Sequence, residues 1–181
     1  MLKNIDLYFP KEYGFCGGVI NAITLLEDAL KKYGAPLYVH HHIVHNERVI
    51  KNLENKGAVF VEDLSEVKDY SRPVVLSAHG SPKVLHADLE QKGIKYIDTV
   101  CPLVKKIHTY INEKHAAGYK IIIVGSGLSH QEIIGTMGQV SDNIFFVKSA
   151  DDVRSLPIDK LATKLCYATQ TTLSMHEVKE V

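Results

Sequence analysis

PVVLSAHGS, residues 73–81, decides the fold. Val74, Val75 and Leu76 form an apolar run with no polar alternation, which suits a strand buried on both faces. A small polar tail, Ser77-Ala78-His79-Gly80, follows directly, and a helical pattern from Ser81 to Lys92 then stops at Gly93. The same order of strand, polar loop and helix recurs along the chain. Strands are predicted at Ile5 to Phe9, Leu37 to His41, Ala58 to Val61, Pro73 to Ser77, Lys95 to Thr99, Lys120 to Val124, Asn143 to Val147 and Lys164 to Ala168. Helices are predicted at Gly18 to Tyr33, Asn46 to Lys56 and Pro102 to Ala117, each ended by a glycine, the last opened by a proline. Ile121 to Val124 and Ile144 to Val147 are further continuous apolar runs. Strand–helix alternation with such strands means an α/β fold with parallel sheets covered by helices.

A rough repeat divides the chain. Residues 1–98 read as strand, cysteine loop, helix, strand, histidine loop, helix, strand, histidine loop, and a second cysteine loop opens a similar series over residues 99–181. Two similar α/β units sharing an interface are expected. Cys16, His45, His79, Cys101, His130 and the stretch Thr169-Gln170-Thr171-Thr172 each fall just after a predicted strand. Ligands of open parallel sheets bind outside the carboxyl ends of the strands, so these residues mark a candidate site.

The bulk composition narrows the alternatives. The 181 residues are 45% hydrophobic and 23% charged, with 21 basic against 21 acidic side chains. That balance argues against a nucleic-acid partner, which calls for a basic excess. No apolar run approaches the roughly 18 residues of a membrane helix, and residues 1–15 lack the character of a secretion or transit signal. Cys16, Cys101 and Cys166 stand 85 and 65 positions apart, which is no disulfide framework. A reducing, cytoplasmic setting is the expectation.

Each candidate has a bland alternative. Cys16, in Gly14-Phe15-Cys16-Gly17-Gly18, could be a small apolar filler. Its flanking glycines and the helix that begins there also suit a thiolate beside an anion or metal, and Cys101 repeats the placement. Two such thiolates look like soft-metal or iron–sulfur ligands, whereas zinc would want a close Cys-x-x-Cys pair that is absent. Cys166 lies in an apolar strand and reads as core. His40, His41 and His42 read as strand and rim. His86, His108, His115 and His176 fall on helices and read as solvated. His45, His79 and His130 begin loops at the site edge, where imidazoles can donate to phosphate or move protons. Glu132 is the best general-acid candidate, its alternative being favourable charge at a helix start.

These stretches also carry a resemblance. Gly14-Phe15-Cys16-Gly17-Gly18-Val19, Ile43-Val44-His45-Asn46, Ser77-Ala78-His79-Gly80, Asp98-Thr99-Val100-Cys101-Pro102-Leu103-Val104, His130-Gln131-Glu132, Gly135-Thr136-Met137-Gly138-Gln139 and Thr169-Gln170-Thr171-Thr172-Leu173-Ser174 occur in one order. In that order the chain closely resembles the 4-hydroxy-3-methylbut-2-enyl diphosphate reductases of the non-mevalonate isoprenoid pathway, from about Tyr8 to Ser174. The resemblance implies an iron–sulfur oxidoreductase with a [4Fe–4S] cluster. Its substrate would be an allylic diphosphate, its products isopentenyl and dimethylallyl diphosphate, and its electron donor a ferredoxin or flavodoxin. By motif, Cys16 and Cys101 would be cluster ligands, and His45, His79 and His130 would bind the diphosphate. Glu132 would deliver the proton that lets hydroxide leave, and Thr171 would hydrogen-bond near the substrate hydroxyl.

The chain departs from the family pattern in two ways. The family has three α/β units around its cluster and this sequence shows two, without the third unit's Ser-x-Asn motif. The family's third cysteine sits in a Cys-Tyr-Ala-Thr context that Cys166-Tyr167-Ala168-Thr169 repeats. Gln170 to Ser174 after it assigns that segment to the second unit, so core and third-ligand readings of Cys166 both stand. Gly-His-Pro-Glu becomes Ser129-His130-Gln131-Glu132, in a loop one residue longer. With only Cys16 and Cys101 as ligands, this chain alone is expected not to hold an intact cluster. A shortened relative that binds anions or a partner without catalysis is the competing expectation. A zinc hydrolase is disfavoured by the lack of local ligand pairs.

Overall fold

The computed structural model describes residues 6–11, 13–157 and 164–181. Helix α1 (Gly17–Tyr33) leads into β1 (Leu37–His40), α2 (Glu47–Asn55), β2 (Ala58–Val61), β3 (Val74–Leu76), α3 (Lys83–Gln91) and β4 (Tyr96–Asp98). These strands form one parallel sheet in the order β2-β1-β3-β4. Then follow α4 (Pro102–Ala116), β5 (Lys120–Val124), α5 (Gln131–Met137), β6 (Ile144–Val147), α6 (Ala150–Ser155), β7 (Leu165–Thr169) and α7 (Met175–Glu180). Strands β6-β5-β7 make a second parallel sheet. The α/β reading with two parallel-sheet units holds. In each sheet the strand after the cysteine helix lies in the middle, flanked by the next two, so β2-β1-β3 and β6-β5-β7 are equivalent.

The first sheet is covered on both faces. Leu37, Val39 and Val75 pack under Ala22, Leu26, Leu30, Ile50 and Leu53 of α1 and α2. Val74 and Leu76 point the other way, onto Leu89 of α3, as strand alternation requires. In the second sheet Ile121 and Ile123 meet Ile111 of α4 and Ile133 of α5. Leu165 and Tyr167, on the opposite side of β7, are 46% and 65% exposed.

Three expectations need correction. No strand forms over residues 6–9 of the predicted Ile5 to Phe9, and Ile5 lies outside the described residues. Leu7, Tyr8 and Phe9 are exposed and pair with neither sheet, so nothing satisfies a strand's backbone there; Cys16 therefore follows an irregular segment. Ile144 to Val147 is not buried on both faces: β6 is an edge strand, and only Val147 within it is buried. His108 is not solvated but sits in the seam between the sheets.

That seam is a contact of backbone on backbone. A Cβ on Gly135 of α5 would lie 2.6 Å from the carbonyl oxygen of Gly80, and one on Gly138 2.4 Å from Pro82 Cβ. Around this approach the Lys83 N–H donates to Gly138 O (3.0 Å), and Gln139 Nε2 donates to Ser81 O (3.0 Å). Gly135-Thr136-Met137-Gly138-Gln139 is thus the dock between the two units. In an ordinary helix Gly→Ala gains about 1 kcal/mol. Gly135→Ala should instead destabilise by about 1–3 kcal/mol, the range for overpacking, because rigid backbone blocks the new methyl. Urea unfolding should show a lowered midpoint for Gly135→Ala, with Gly127→Ala, which faces open space, close to the parent.

Candidate active site

Every candidate from the sequence reaches one cavity. A space of about 250 Å³ is lined by Cys16, His45, His79, Cys101, His130, Glu132 and Thr171, with Phe15, Val19, Val44 and Val104 as apolar wall. The carboxyl ends of β1, β3, β4, β5 and β7 supply the loops that bring in every candidate but Cys16, as parallel topology favours. The Ala78 N–H donates to Ile43 O (3.3 Å), tying the His79 loop to the His45 loop. Cys101 N–H donates to Ala78 O (3.0 Å), and Gln170 N–H to Val124 O (2.8 Å).

Three imidazoles form a triangle. Ring centroids are 4.3 Å apart for His45 and His79, 5.2 Å for His45 and His130, and 6.0 Å for His79 and His130. Burial, and then the neighbouring His45 and His130, push His79 down to about 4 from the ordinary 6.5. His45 is lowered too, chiefly by burial and next by His130, with Glu132 opposing. His79 is therefore uncharged at neutral pH. His130 caps α5: its Nδ1 accepts from the Glu132 N–H (3.2 Å), which leaves the proton on Nε2 as a donor.

Glu132 is 3% exposed and held at both oxygens by one residue. The Thr171 N–H donates to Oε1 (2.6 Å) and the Thr171 hydroxyl to Oε2 (2.8 Å). Gln170, also buried, fixes this loop to the one bearing His130: its Oε1 accepts from Ser126 N–H and Oγ, both at 2.9 Å, and its Nε2 donates to Thr172 Oγ1 (2.7 Å). Sequence reasoning gave Gln170 no role. A glutamine between two threonines, in a loop following a predicted strand, was the available signal.

Cys16 and Cys101 are the N-cap residues of α1 and α4, and neither helix has a side-chain cap or an acidic residue in its first turn. Both thiols are free and converge on Gly18, where a Cβ would meet Cys101 Sγ at 2.5 Å and Cys16 Sγ at 4.0 Å. Glycine at 18 keeps room for the two sulfurs. Cys166 is elsewhere, paired with Ile121 on the core face of the second sheet. His40, His41 and His42 also stay apart, as strand and rim residues. His40 is buried and lowered to about 4 by desolvation, His41 Nδ1 meets Glu62 Oε2 at 2.8 Å, and His42 stands edge-on to Phe60.

Comparison with known proteins gives a consistent answer. The family model described as LytB protein matches residues 7–181. The chain is 44% identical over 179 residues to the 4-hydroxy-3-methylbut-2-enyl diphosphate reductase of Methylocella silvestris, covering 98% of this chain and 55% of that protein. It is 44% identical to the reductase of the same name from Ralstonia nicotianae, covering 97% of this chain and 53% of the relative. Among solved structures, the E-1-hydroxy-2-methyl-but-2-enyl-4-diphosphate reductase of Plasmodium falciparum superposes with a TM-score of 0.84 at 40% identity, over 93% of this chain and 52% of that one. The chain thus spans about half the length of the curated relatives it matches. With the match running through nearly all of its residues and the fold shared, the chain belongs to the LytB family.

Proposed function

We propose that this chain contributes the diphosphate grip and the proton donor for reductive dehydroxylation of 4-hydroxy-3-methylbut-2-enyl diphosphate to isopentenyl and dimethylallyl diphosphate. The observation that carries the reading is the triangle of His45, His79 and His130 facing one cavity with two thiols and a buried carboxylate. The names of the relatives point to the same substrate class.

The residues divide the work. The imidazoles donate to the diphosphate oxygens, His130 through Nε2. Phe15, Val19, Val44 and Val104 would give a short branched hydrocarbon an apolar wall. Protonated Glu132 would hold its proton at Oε2, 2.8 Å from Thr171 Oγ1. That hydroxyl both accepts and donates, so it passes the proton to the departing hydroxide as the C–O bond breaks, and water leaves. Cys16 and Cys101 would hold the iron–sulfur group, with Gly18 leaving room for the two sulfurs. When bound, that group would pass on the two electrons one at a time, each received from a ferredoxin- or flavodoxin-type donor, and would supply a Lewis-acidic iron. A second proton completes the product. Among the described residues no helix is long and apolar enough to cross a membrane, which is compatible with the expected cytoplasmic setting.

One observation favours a second reading, anion binding without catalysis by this chain alone. Cys166 sits in β7 with three residues between it and the strand-end loop, packed on the core, so the cavity receives two thiols and not three.

Titration with inorganic diphosphate tests the grip. Binding should vanish when His45, His79 and His130 are all changed to alanine; unaltered affinity would remove the cavity from the reading. The proton balance has a definite sign. An anion favours imidazolium and raises the lowered His79, so binding takes up protons and tightens as pH falls below neutral. Calorimetry in two buffers of different ionisation enthalpy should show that uptake, reduced in His79→Asn.

Glu132→Gln should keep diphosphate affinity in a turning-over form of the enzyme while the rate drops roughly 10²–10⁴-fold, the range for general acid catalysis. Turnover within a few-fold of the parent sinks the proton-donor role.

Ligand counting gives a further expectation. Two thiolates leave a four-iron cluster short of its usual protein ligands. After anaerobic reconstitution and gel filtration, iron and sulfide analysis should find well below four irons per chain. About four irons, lost on Cys166→Ala, would make Cys166 a ligand after all.

A further inference from the structure

We propose that His108 is a positioning residue: it clamps the loop carrying His79 against the helix carrying His130 and Glu132, and so sets the spacing of the three cavity-facing imidazoles. The inference deepens the reading of those imidazoles as a diphosphate grip and rests on it. His108 lies on α4, seven residues beyond Cys101, and does not line the cavity. Its position in the seam gives it contacts on both sides.

Toward the first sheet, the ring lies on the backbone beside His79. A Cβ on Gly80 would fall 2.7 Å from His108 Cε1 and 3.1 Å from Val104 Cγ1, so glycine there lets α4 close onto the loop. Gly80 also has φ +80°, a conformation that strongly favours glycine. Toward the second sheet, His108 Nε2 lies 3.3 Å from Oγ1 of Thr136, which is 3% exposed on α5 and four residues after Glu132. Thr136 adjoins Gly135, whose backbone rests on Gly80. One imidazole therefore touches the neighbour of His79 and the helix whose N-cap is His130.

The clamp is braced behind. His108 O accepts from Asn112 Nδ2 (2.8 Å), which is 3.5 Å from Gln139 Oε1, and Gln139 Nε2 donates to Ser81 O (3.0 Å). Burial lowers His108 to about 4, with Asp98 opposing and His86 adding to the fall. At neutral pH the ring is uncharged, so the seam buries no isolated cation.

The test uses the 181-residue chain and three substitutions. His108→Leu keeps bulk against Gly80 and deletes the hydrogen bond. Thr136→Val deletes the same bond from the other side with its shape retained, and decides the matter should His108→Leu fail to fold. His108→Gln returns a polar group. Proton cross-relaxation between the His130 ring and the His45 and His79 rings reports their spacing without any ligand, and calorimetry with inorganic diphosphate reports the grip. The parent should show the ring contacts. His108→Leu and Thr136→Val should weaken them and bind diphosphate about three- to tenfold more weakly, the scale of one hydrogen bond. His108→Gln should recover much of the loss. The double variant should be no worse than the worse single one, since both changes cut one bond. Parental ring contacts in both single variants, or losses that simply add, overturn the proposal. If the ring contacts fail as expected in the variants while the parent binds no diphosphate, His108 keeps its role and the diphosphate reading fails instead.

Discussion

The site depends on one contact, the backbone of Gly135 pressed against the backbone of Gly80 and Ser81. Each sheet has its own core, the first built on β1 and β3 and the second on β5. Nothing within either core fixes the distance between them. Yet His45 and His79 come from the first unit while His130, Glu132 and Thr171 come from the second. The 6.0 Å between His79 and His130 is a property of the seam. A side chain on Gly135 or Gly138 would meet Gly80 O at 2.6 Å or Pro82 Cβ at 2.4 Å, and the two sheets could not close as they do. Glycine at 80, 135 and 138 removes that obstacle, and Gln139 and Lys83 tie the edges.

Electrostatics explains why the imidazoles tolerate this closeness. Protonated rings 4–6 Å apart, partly out of water, would repel by something like a few kcal/mol per pair at an effective dielectric near 20. His79 avoids the conflict by staying neutral: burial, and then His45 and His130, hold it to about 4, and His45 is lowered as well. His130 contributes a donor through its tautomer, because the Glu132 N–H occupies Nδ1. The same capping contact that starts α5 therefore aims the ring and places Glu132 two residues on.

Much of this was legible in the sequence because strand ends are. Apolar runs followed at once by polar loops put His45, His79, His130 and Thr171 on one edge, and parallel topology does the rest. What was hidden depended on tertiary partners. Residues 6–9 have strand-like composition but no neighbouring strand to pair with. Ile144 to Val147 reads as buried, yet which strand lies at an edge is set by sheet order. Spacing along α4 makes His108 a helical residue and cannot reveal that Gly80 is pressed against its ring. Gly135 and Gly138 stand in a stretch that carries the family resemblance, and nothing in the sequence shows that their lack of side chains serves docking. Cys166 was read as core, and its Ile121 partner places it there.

The repeat also explains how the site divides its labour. Cys16 and Cys101 occupy equivalent positions, each the N-cap of the helix that leads into the middle strand of its sheet. Asn46, Ser149 and Ser174 cap their helices with side-chain oxygens, as stability favours by about 1 kcal/mol over a residue that cannot. The two cysteine helices forgo that, leaving first-turn N–H groups without a side-chain acceptor beside the cavity, where a negatively charged group would be favoured. His45 and His130 are equivalent too, each in the loop after a middle strand, β1 or β5. The units diverge at the next pair of loops. After β3 the chain offers His79; after β7 it offers Thr171, which grips the carboxylate from α5. On the proposed reading both units hold the anion, the first through His45 and His79 and the second through His130, and the second alone adds the proton donor. Thr171 meets both Glu132 oxygens with its N–H and its hydroxyl, whereas the loop after β3 places an imidazole at the equivalent position.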